Sequence, residues 1–146
     1  MTDHVLHLIH RAGQIADETF GAKIGDAKIT ARQATVLISI SEMETPSQTD
    51  LVDKTGIDRS TMADIVRRLV AGGLIARKRS KRDARRYVLS LTKRGAFLAA
   101  AAAVAIKEAE NTLLKRLSSS AQREDLITAL SSLVGSETLQ PLIAAE

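Results

Sequence analysis

One segment, residues 45–92, constrains the fold more than any other part of the chain, because glycines divide it into short pieces. A polar run after Pro46 predicts a short helix, and Gly56 suits the left-handed position just past its end. Asp58 is a good N-cap for a second helix, which the paired glycines at 72–73 would stop. Two helices joined by a tight turn that contains glycine form a helix-turn-helix.

Two strand patterns follow the second of these helices, over residues 74–79 and 87–91. The loop between them, residues 80–86, is polar and basic, so the pair predicts a hairpin with a charged tip, which is the wing of a winged helix. Apolar side chains alternate in the second strand, and we expect that face to rest on the core. These side chains are Tyr87, Leu89 and Leu91.

Helical spacing of apolar residues predicts further helices before the segment and after it. The first covers residues 5–20 and is expected to break at Gly21 and Gly25. The next runs to about Glu42 and begins with a capping box formed by Thr30 and Gln33.

On the other side, Thr92 can cap a long helix over residues 93–117, which includes an unbroken run of alanines at 99–103. A last helix is predicted over residues 121–134, followed by a short apolar tail at 140–146. Since few residues are aromatic, the core should be aliphatic. The sequence therefore predicts a mainly α fold with a small β wing.

Basic residues are concentrated in one part of the chain. Eleven of the 21 lysines and arginines fall between Arg67 and Arg94, together with one acid, Asp83. A basic block beside a more acidic remainder indicates a polyanionic partner such as nucleic acid, although a charge run by itself often forms only a solvated surface.

Several classes of protein are excluded or disfavoured by what the sequence lacks. It contains no cysteine, so disulfides and thiolate metal sites are excluded. No apolar run is long enough for a membrane span, and the N-terminus does not have the pattern of a secretory signal, so we expect a cytoplasmic protein. The chain has no Gly-rich phosphate loop, and its histidines all lie within the first ten residues, so we expect no enzyme.

The three histidines, His4, His7 and His10, have helical spacing that would suit Zn²⁺. The alternative is a polar, fraying helix end, which we favour because terminal turns are often poorly ordered. We therefore predict no metal site and no cofactor.

The second helix of the helix-turn-helix offers candidates for contact with a duplex. Ser60 and Thr61 stand at its N-terminus, where hydroxyl groups can bond phosphates or base edges, although they could also act simply as caps. Arg67 and Arg68 follow two turns later, and both could contact the phosphate backbone. Alternatively, Arg68 could pair with an acid in the core of the domain.

In the wing, an arginine on a thin hairpin can enter a narrow minor groove. We expect Asp83 to orient Arg85 or Arg86 through an ion pair. The full set expected to contact DNA is Gln48, Arg59, Ser60, Thr61, Arg67, Arg68, Lys81, Arg82, Asp83, Arg85 and Arg86.

Six short runs, taken in order and spacing, resemble the multiple-antibiotic-resistance regulator (MarR) family. The runs are Ile29–Leu37, Pro46–Leu51, Gly56–Thr61, Leu69–Ile75, Asp83–Arg85 and Leu91–Gly95. The resemblance covers residues 29–98, whereas the flanking helices match only in length and pattern. It implies a DNA-binding lobe over 29–98 and a helical dimerisation region over 1–25 and 99–146, together forming a single domain over 1–146.

The resemblance also implies a function. Such proteins are homodimers, usually repressors, that place one recognition helix in each half-site of a palindromic operator. Many release DNA when a small aromatic molecule binds between the dimer core and the DNA-binding lobe. Carried over, Ser60 and Thr61 match the groove-contacting helix start, Arg85 matches the wing arginine of the minor groove, and Asp83 matches the acid that holds it.

The sequence leaves open the role of Asp64, the effector pocket and one alternative function. Asp64 stands where many relatives have a basic or amide side chain, and its spacing favours an ion pair with Arg67 or Arg68 over contact with cytosine. The residues expected to line an effector pocket, each with plain core packing as the alternative, are Ile15, Phe20, Ile38 and Phe97. The alternative function is an effector-independent DNA-architectural protein, which would cover any duplex uniformly.

Overall fold

The computed structural model describes residues 3–135, which fold into six α-helices and a two-stranded antiparallel sheet. In chain order the elements are α1 (Val5–Ile24), a 3-10 turn (Gly25–Ala27), α2 (Ala31–Glu42), α3 (Gln48–Thr55), α4 (Arg59–Ala71), β1 (Ile75–Arg79), β2 (Tyr87–Leu91), α5 (Lys93–Leu114) and α6 (Ser120–Val134). The prediction of a mainly α fold with a small β wing is confirmed. The predicted tail at 140–146 lies outside the described residues.

Local capping sets where the helices begin. Thr30 and Gln33 form the predicted capping box, with the Gln33 N–H donating to Thr30 Oγ1 at 3.1 Å. A second box opens α3, where Ser47 Oγ accepts from the Asp50 N–H at 3.1 Å. Each satisfies backbone donors that a helix N-terminus would otherwise leave unpaired.

The turn between α3 and α4 depends on Gly56, which adopts φ 73°, a left-handed conformation that costs glycine little. Its N–H closes α3 by donating to the Val52 carbonyl at 2.9 Å. Asp58 then caps α4 as predicted. The helix-turn-helix follows from these adjacent residues.

The hairpin is hydrogen-bonded to the segment that precedes helix α3. Its register pairs Ile75 with Leu91 and Arg79 with Tyr87. The Leu89 N–H donates to the Pro46 carbonyl, ahead of α3, at 2.8 Å, and the Thr92 N–H donates to the Leu74 carbonyl at 3.0 Å. The first bond therefore joins β2 to the segment ahead of the helix-turn-helix, and the second continues the pairing of the hairpin beyond its strands.

A continuous aliphatic core lies beneath these elements, and α5 crosses it against α1 and α2. The buried face of α5 consists of small residues, which let the helix backbones approach closely. These residues are Gly95, Ala99, Ala102, Ala105 and Ala109. At Gly95 the approach is closest, because an added Cβ would lie 1.8 Å from the Leu74 carbonyl oxygen.

Three expectations from the sequence are corrected. The first helix continues through Gly21 to Ile24, since packing along the helix outweighs the modest cost of an interior glycine. Tyr87 does not face the core and is 43% exposed, because it pairs with Arg79 at the far end of the hairpin. Phe97 is 79% exposed, because it follows Gly95 by two residues and so projects from the opposite side of α5.

Two helices leave large apolar side chains in solvent. On α1 these are Val5, Leu6, Leu8 and Ile9, and on α6 they are Leu126, Ile127, Leu130, Leu133 and Val134. No residue of α6 is buried within the chain. Among the described residues, no helix is both long and apolar enough to cross a membrane.

Candidate nucleic-acid interface

Helix α4 divides into an apolar face and a polar face. Met62, Ile65, Val66 and Leu69 are buried, and together they hold the helix against the core. Arg59, Ser60, Arg67 and Arg68 are exposed, and Thr61 is half-buried. The helix therefore offers solvent a surface of hydroxyl and guanidinium groups on a firmly packed base.

At the start of α4, the Asp58 carboxylate rather than a hydroxyl is the cap. Its Oδ2 accepts from the Thr61 N–H at 2.9 Å and from the Ser60 hydroxyl at 2.7 Å. Hydrogen bonds from Thr61 and Ser60 hold the pKa of the Asp58 carboxyl far below its usual range. Ser60 therefore donates its proton inside the turn, and its oxygen is left to accept from a partner outside.

Asp64 lies one turn further along and forms the ion pairs predicted from its spacing. Its carboxylate contacts the guanidinium of Arg67, and Arg68 Nε donates to Asp64 Oδ2 at 2.9 Å. The Arg67 hydrogen bond is the main cause that lowers the pKa of Asp64. One carboxylate therefore orders two exposed arginines on the same helix. Its negative charge lowers the net positive charge of this part of the helix surface.

The wing tip is organised by hydrogen bonds to the backbone. Ser80 Oγ accepts from the N–H groups of Arg82 at 3.2 Å and of Asp83 at 3.3 Å. Asp83 Oδ1 accepts from the Arg85 N–H at 3.0 Å. The predicted ion pair between Asp83 and an arginine side chain is thus wrong, because the carboxylate closes a local turn instead. Within residues 3–135, no carboxylate pairs with the Arg85 guanidinium.

Arg86 is held differently from its neighbour Arg85. Its Nη2 donates to Ser47 Oγ at 2.9 Å and to Asp50 Oδ1 at 3.1 Å, so the side chain reaches from the wing to the first turn of α3. The two residues are adjacent in sequence but differ in what their guanidinium groups contact.

A polar cleft of about 210 Å³ separates the wing from the start of α3. It brings together three residues of the predicted DNA-contact set, Gln48, Arg85 and Arg86, and leaves the residues of α4 outside. The full lining is Ser47, Gln48, Thr49, Arg77, Arg85, Arg86, Tyr87 and Leu89.

Arg77 is a candidate that the sequence reading omitted. Its guanidinium lies 4.9 Å from the centre of the Tyr87 ring, and that of Arg79 lies 5.5 Å from it. Such cation–π contacts steady exposed arginines without neutralising them. The alternation of Arg77 and Arg79 in β1, opposite a tyrosine in β2, is the pattern that could have indicated this cluster.

The predicted effector residues differ in their burial and surroundings. Ile38 lines a shallow groove of about 330 Å³ between α2 and α5, with Thr35, Ser39, Ala103 and Ile106. Phe20 is part of the core, Ile15 is half-buried and Phe97 is exposed. Within the described part of the chain, no group of three or more histidines, cysteines and carboxylates is arranged to hold a metal.

Comparison with known proteins gives a consistent result. The sequence pattern of the MarR family matches residues 29–87. The transcriptional repressor NicR of Pseudomonas putida is 31% identical over 98 residues, which are 67% of this chain and 62% of NicR. The match thus spans less than two thirds of that relative's length.

Solved structures resemble nearly the whole fold. The regulator BpsR of Bordetella bronchiseptica, whose DNA binding is regulated by 6-hydroxynicotinic acid, superposes with a TM-score of 0.83 at 27% identity, over 94% of this chain and 97% of BpsR. The regulator PcaV of Streptomyces coelicolor, in complex with its natural ligand, gives a TM-score of 0.78 at 27% identity, over 92% and 96% of the two chains. The family pattern, the repressor relative and the shared fold agree, and the protein belongs to the MarR family.

Proposed function

We propose that this protein is a sequence-specific DNA-binding transcriptional regulator, acting as a homodimeric repressor on a palindromic operator. The observation that carries the proposal is the pairing of a firmly packed helix α4, polar on its exposed face, with a wing in which residues 81–87 are all exposed and four are basic. This arrangement supplies what duplex recognition requires, a helix for the major groove and cations for the backbone.

The start of helix α4 and the wing are proposed to contact different grooves of the duplex. Arg59, Ser60 and Thr61 begin α4 and are proposed to read base edges, with the Ser60 oxygen as an acceptor. Arg85 is proposed to enter the minor groove, because its guanidinium is not paired with a carboxylate in the described chain.

The remaining contacts are proposed to be mainly electrostatic. Lys81 and Arg82 would bond phosphates beside the wing, and Gln48 would do so from the cleft. Arg67 and Arg68 would face the backbone as a pair ordered by Asp64. Asp83 shapes the wing turn and is proposed to act through Arg85 rather than on DNA.

The dimer is proposed from the apolar side chains that the chain leaves uncovered on α1 and α6. Pairing about a two-fold axis would bury both sets at once and would set two copies of α4 at a fixed spacing. The proposed dimerisation region thus comprises residues 1–25 and 99–146.

Release by a small molecule is proposed from the relatives together with the groove between α2 and α5. BpsR responds to 6-hydroxynicotinic acid and PcaV binds its natural ligand. The groove here is walled by Ile38, Ala103 and Ile106 and carries the hydroxyls of Thr35 and Ser39. Its apolar walls suit a small apolar or aromatic molecule, and the hydroxyls could bond a polar group on it. We also propose that the protein is cytoplasmic.

The wing can be tested with two substitutions. Arg85→Ala should weaken binding to the selected operator by about 1–3 kcal/mol, and the preference for A·T-rich flanks should fall as the minor-groove contact is lost. Lys81→Ala should weaken binding to all duplexes similarly. It should also lower the salt slope, which is the steepness with which log affinity falls as log salt concentration rises, by about one unit, because it removes one phosphate contact. Fluorescence anisotropy over a salt series measures both effects. If both variants bind like the wild type, the wing is not the contact.

A further inference from the structure

We propose that Arg86 is a positioning residue, which fixes the wing to helix α3 and thereby aims Arg85, rather than a contact to DNA phosphate. The proposal rests on the DNA-binding function above and assigns Arg86 a role different from that of the other wing cations. Its basis is the network that joins Arg86 to the capping box of α3.

The first part of this network is the use of a single carboxylate for two tasks. Asp50 Oδ2 accepts from the Ser47 N–H at 2.8 Å and so completes the capping box of α3. Asp50 Oδ1 accepts from Arg86 at 3.1 Å, while the same guanidinium nitrogen bonds Ser47 Oγ. Ser47 is only 6% exposed, so the acceptor is fixed in place. The Ser47 N–H is the main cause that lowers the pKa of Asp50.

The second part is the backbone of Arg86, which closes the wing loop. Its carbonyl accepts from the Ser80 N–H at 2.7 Å, and its N–H donates to the Asp83 carbonyl at 3.0 Å. The residue is therefore bound to both sides of the loop through its backbone and to α3 through its side chain. Arg85 lies within that loop, so the direction of its side chain depends on where Arg86 is held.

The net charge of the Arg86–Asp50 pair distinguishes a positioning role for Arg86 from a contact to phosphate. Arg86 and Asp50 together carry no net charge, so Arg86 should release few counterions when the duplex binds. The pair is half-exposed, and an exposed pair contributes little to folding stability. Its contribution is therefore geometric, and the effect of its loss should appear in DNA recognition rather than in the unfolding transition.

The decisive variant is Asp50→Asn. The Asn oxygen can still accept from the Ser47 N–H, so the cap is kept, but the charged partner of Arg86 is lost. If Arg86 were a phosphate contact, removing a carboxylate beside it would tighten binding. The positioning role predicts the opposite sign, with binding to the duplex selected by the wild type weakened about tenfold, the scale of one lost base contact.

A matched control lies on the same helix. Asp53→Asn removes an equal charge from an exposed position of α3 that takes no part in the network. It should bind like the wild type or slightly more tightly. If Asp50→Asn and Asp53→Asn change the affinity in the same direction and to the same extent, the effect is one of net charge and the proposal is overturned.

Substitution of Arg86 itself gives an independent comparison. Arg86→Ala should weaken binding by a factor similar to that for Asp50→Asn and leave the salt slope unchanged, whereas Lys81→Ala lowers the slope by about one unit. Arg86→Lys should restore part of the affinity, because an ammonium can still bond Asp50. The double variant that combines Asp50→Asn with Arg86→Ala should bind DNA no more weakly than either single variant, because both substitutions break the same link. A slope reduced by about one in Arg86→Ala would overturn the proposal.

A measurement without DNA separates this proposal from the proposed function. Amide hydrogen exchange in the wing should quicken in Asp50→Asn and Arg86→Ala but not in Asp53→Asn, because only the first two release the loop. If exchange quickens but neither the wild type nor any variant selects a duplex, the proposed function fails while the network stands. If exchange is unchanged in all three variants, the network does not hold the wing and the proposal fails.

Discussion

Replacing Gly95 with alanine is expected to cost the protein at least about 3 kcal/mol of unfolding free energy, at the upper end of what overpacking usually costs. The new Cβ would lie 1.8 Å from the Leu74 carbonyl oxygen, which is backbone and cannot rotate away. Relief would require α5 to move off the start of the hairpin, and that movement would disturb the bond between Thr92 and Leu74. Urea unfolding followed by circular dichroism measures the loss.

The control is Gly13→Ala in helix α1. An alanine Cβ there meets no atom within 4 Å, so the substitution should gain up to about 1 kcal/mol from helix propensity. Equal stability of the Gly95→Ala variant and the wild type would show that the hairpin and α5 do not pack as closely as described.

The second large effect is expected on α6. Leu130→Glu places a carboxylate among the apolar side chains that α6 leaves exposed, where a two-fold interface would have to desolvate it. The variant should sediment as a monomer at micromolar concentration and lose measurable operator affinity, because a monomer can engage one half-site only.

Thr128→Glu serves as the matched control. It adds the same charge to the same helix, on the side away from Leu126 and Leu130 according to helical spacing. It should remain dimeric and bind DNA. A dimeric Leu130→Glu variant would show that the interface does not include this face of α6, and a monomeric Thr128→Glu variant would show that any added charge disrupts it.

The parts of the fold that could be predicted depend on contacts between residues close in sequence. The caps at Thr30, Ser47, Asp58 and Thr92 use acceptors and donors three residues apart, so the residue types fix the geometry. The pairing of Asp64 with Arg67 and Arg68 was predictable for the same reason.

The predictions that were wrong depend on contacts between residues far apart in sequence. Asp83 and Asp50 are both carboxylates that Arg86 could have met, and only the packing of the hairpin on α3 brings Asp50, 36 residues away in sequence, within reach. The run of alanines in α5 has no periodicity, so nothing in it shows which face is buried. Its position against Leu74 sets that face and leaves Phe97 in solvent.

Footprinting of the purified wild-type protein on DNA selected from its own genome tests the central claim most directly. We expect one protected palindrome per site, with half-sites about one helical turn apart and hypersensitive or protected A·T-rich flanks where the wing lies. Uniform protection of any duplex would contradict it and would favour an architectural DNA-binding protein instead.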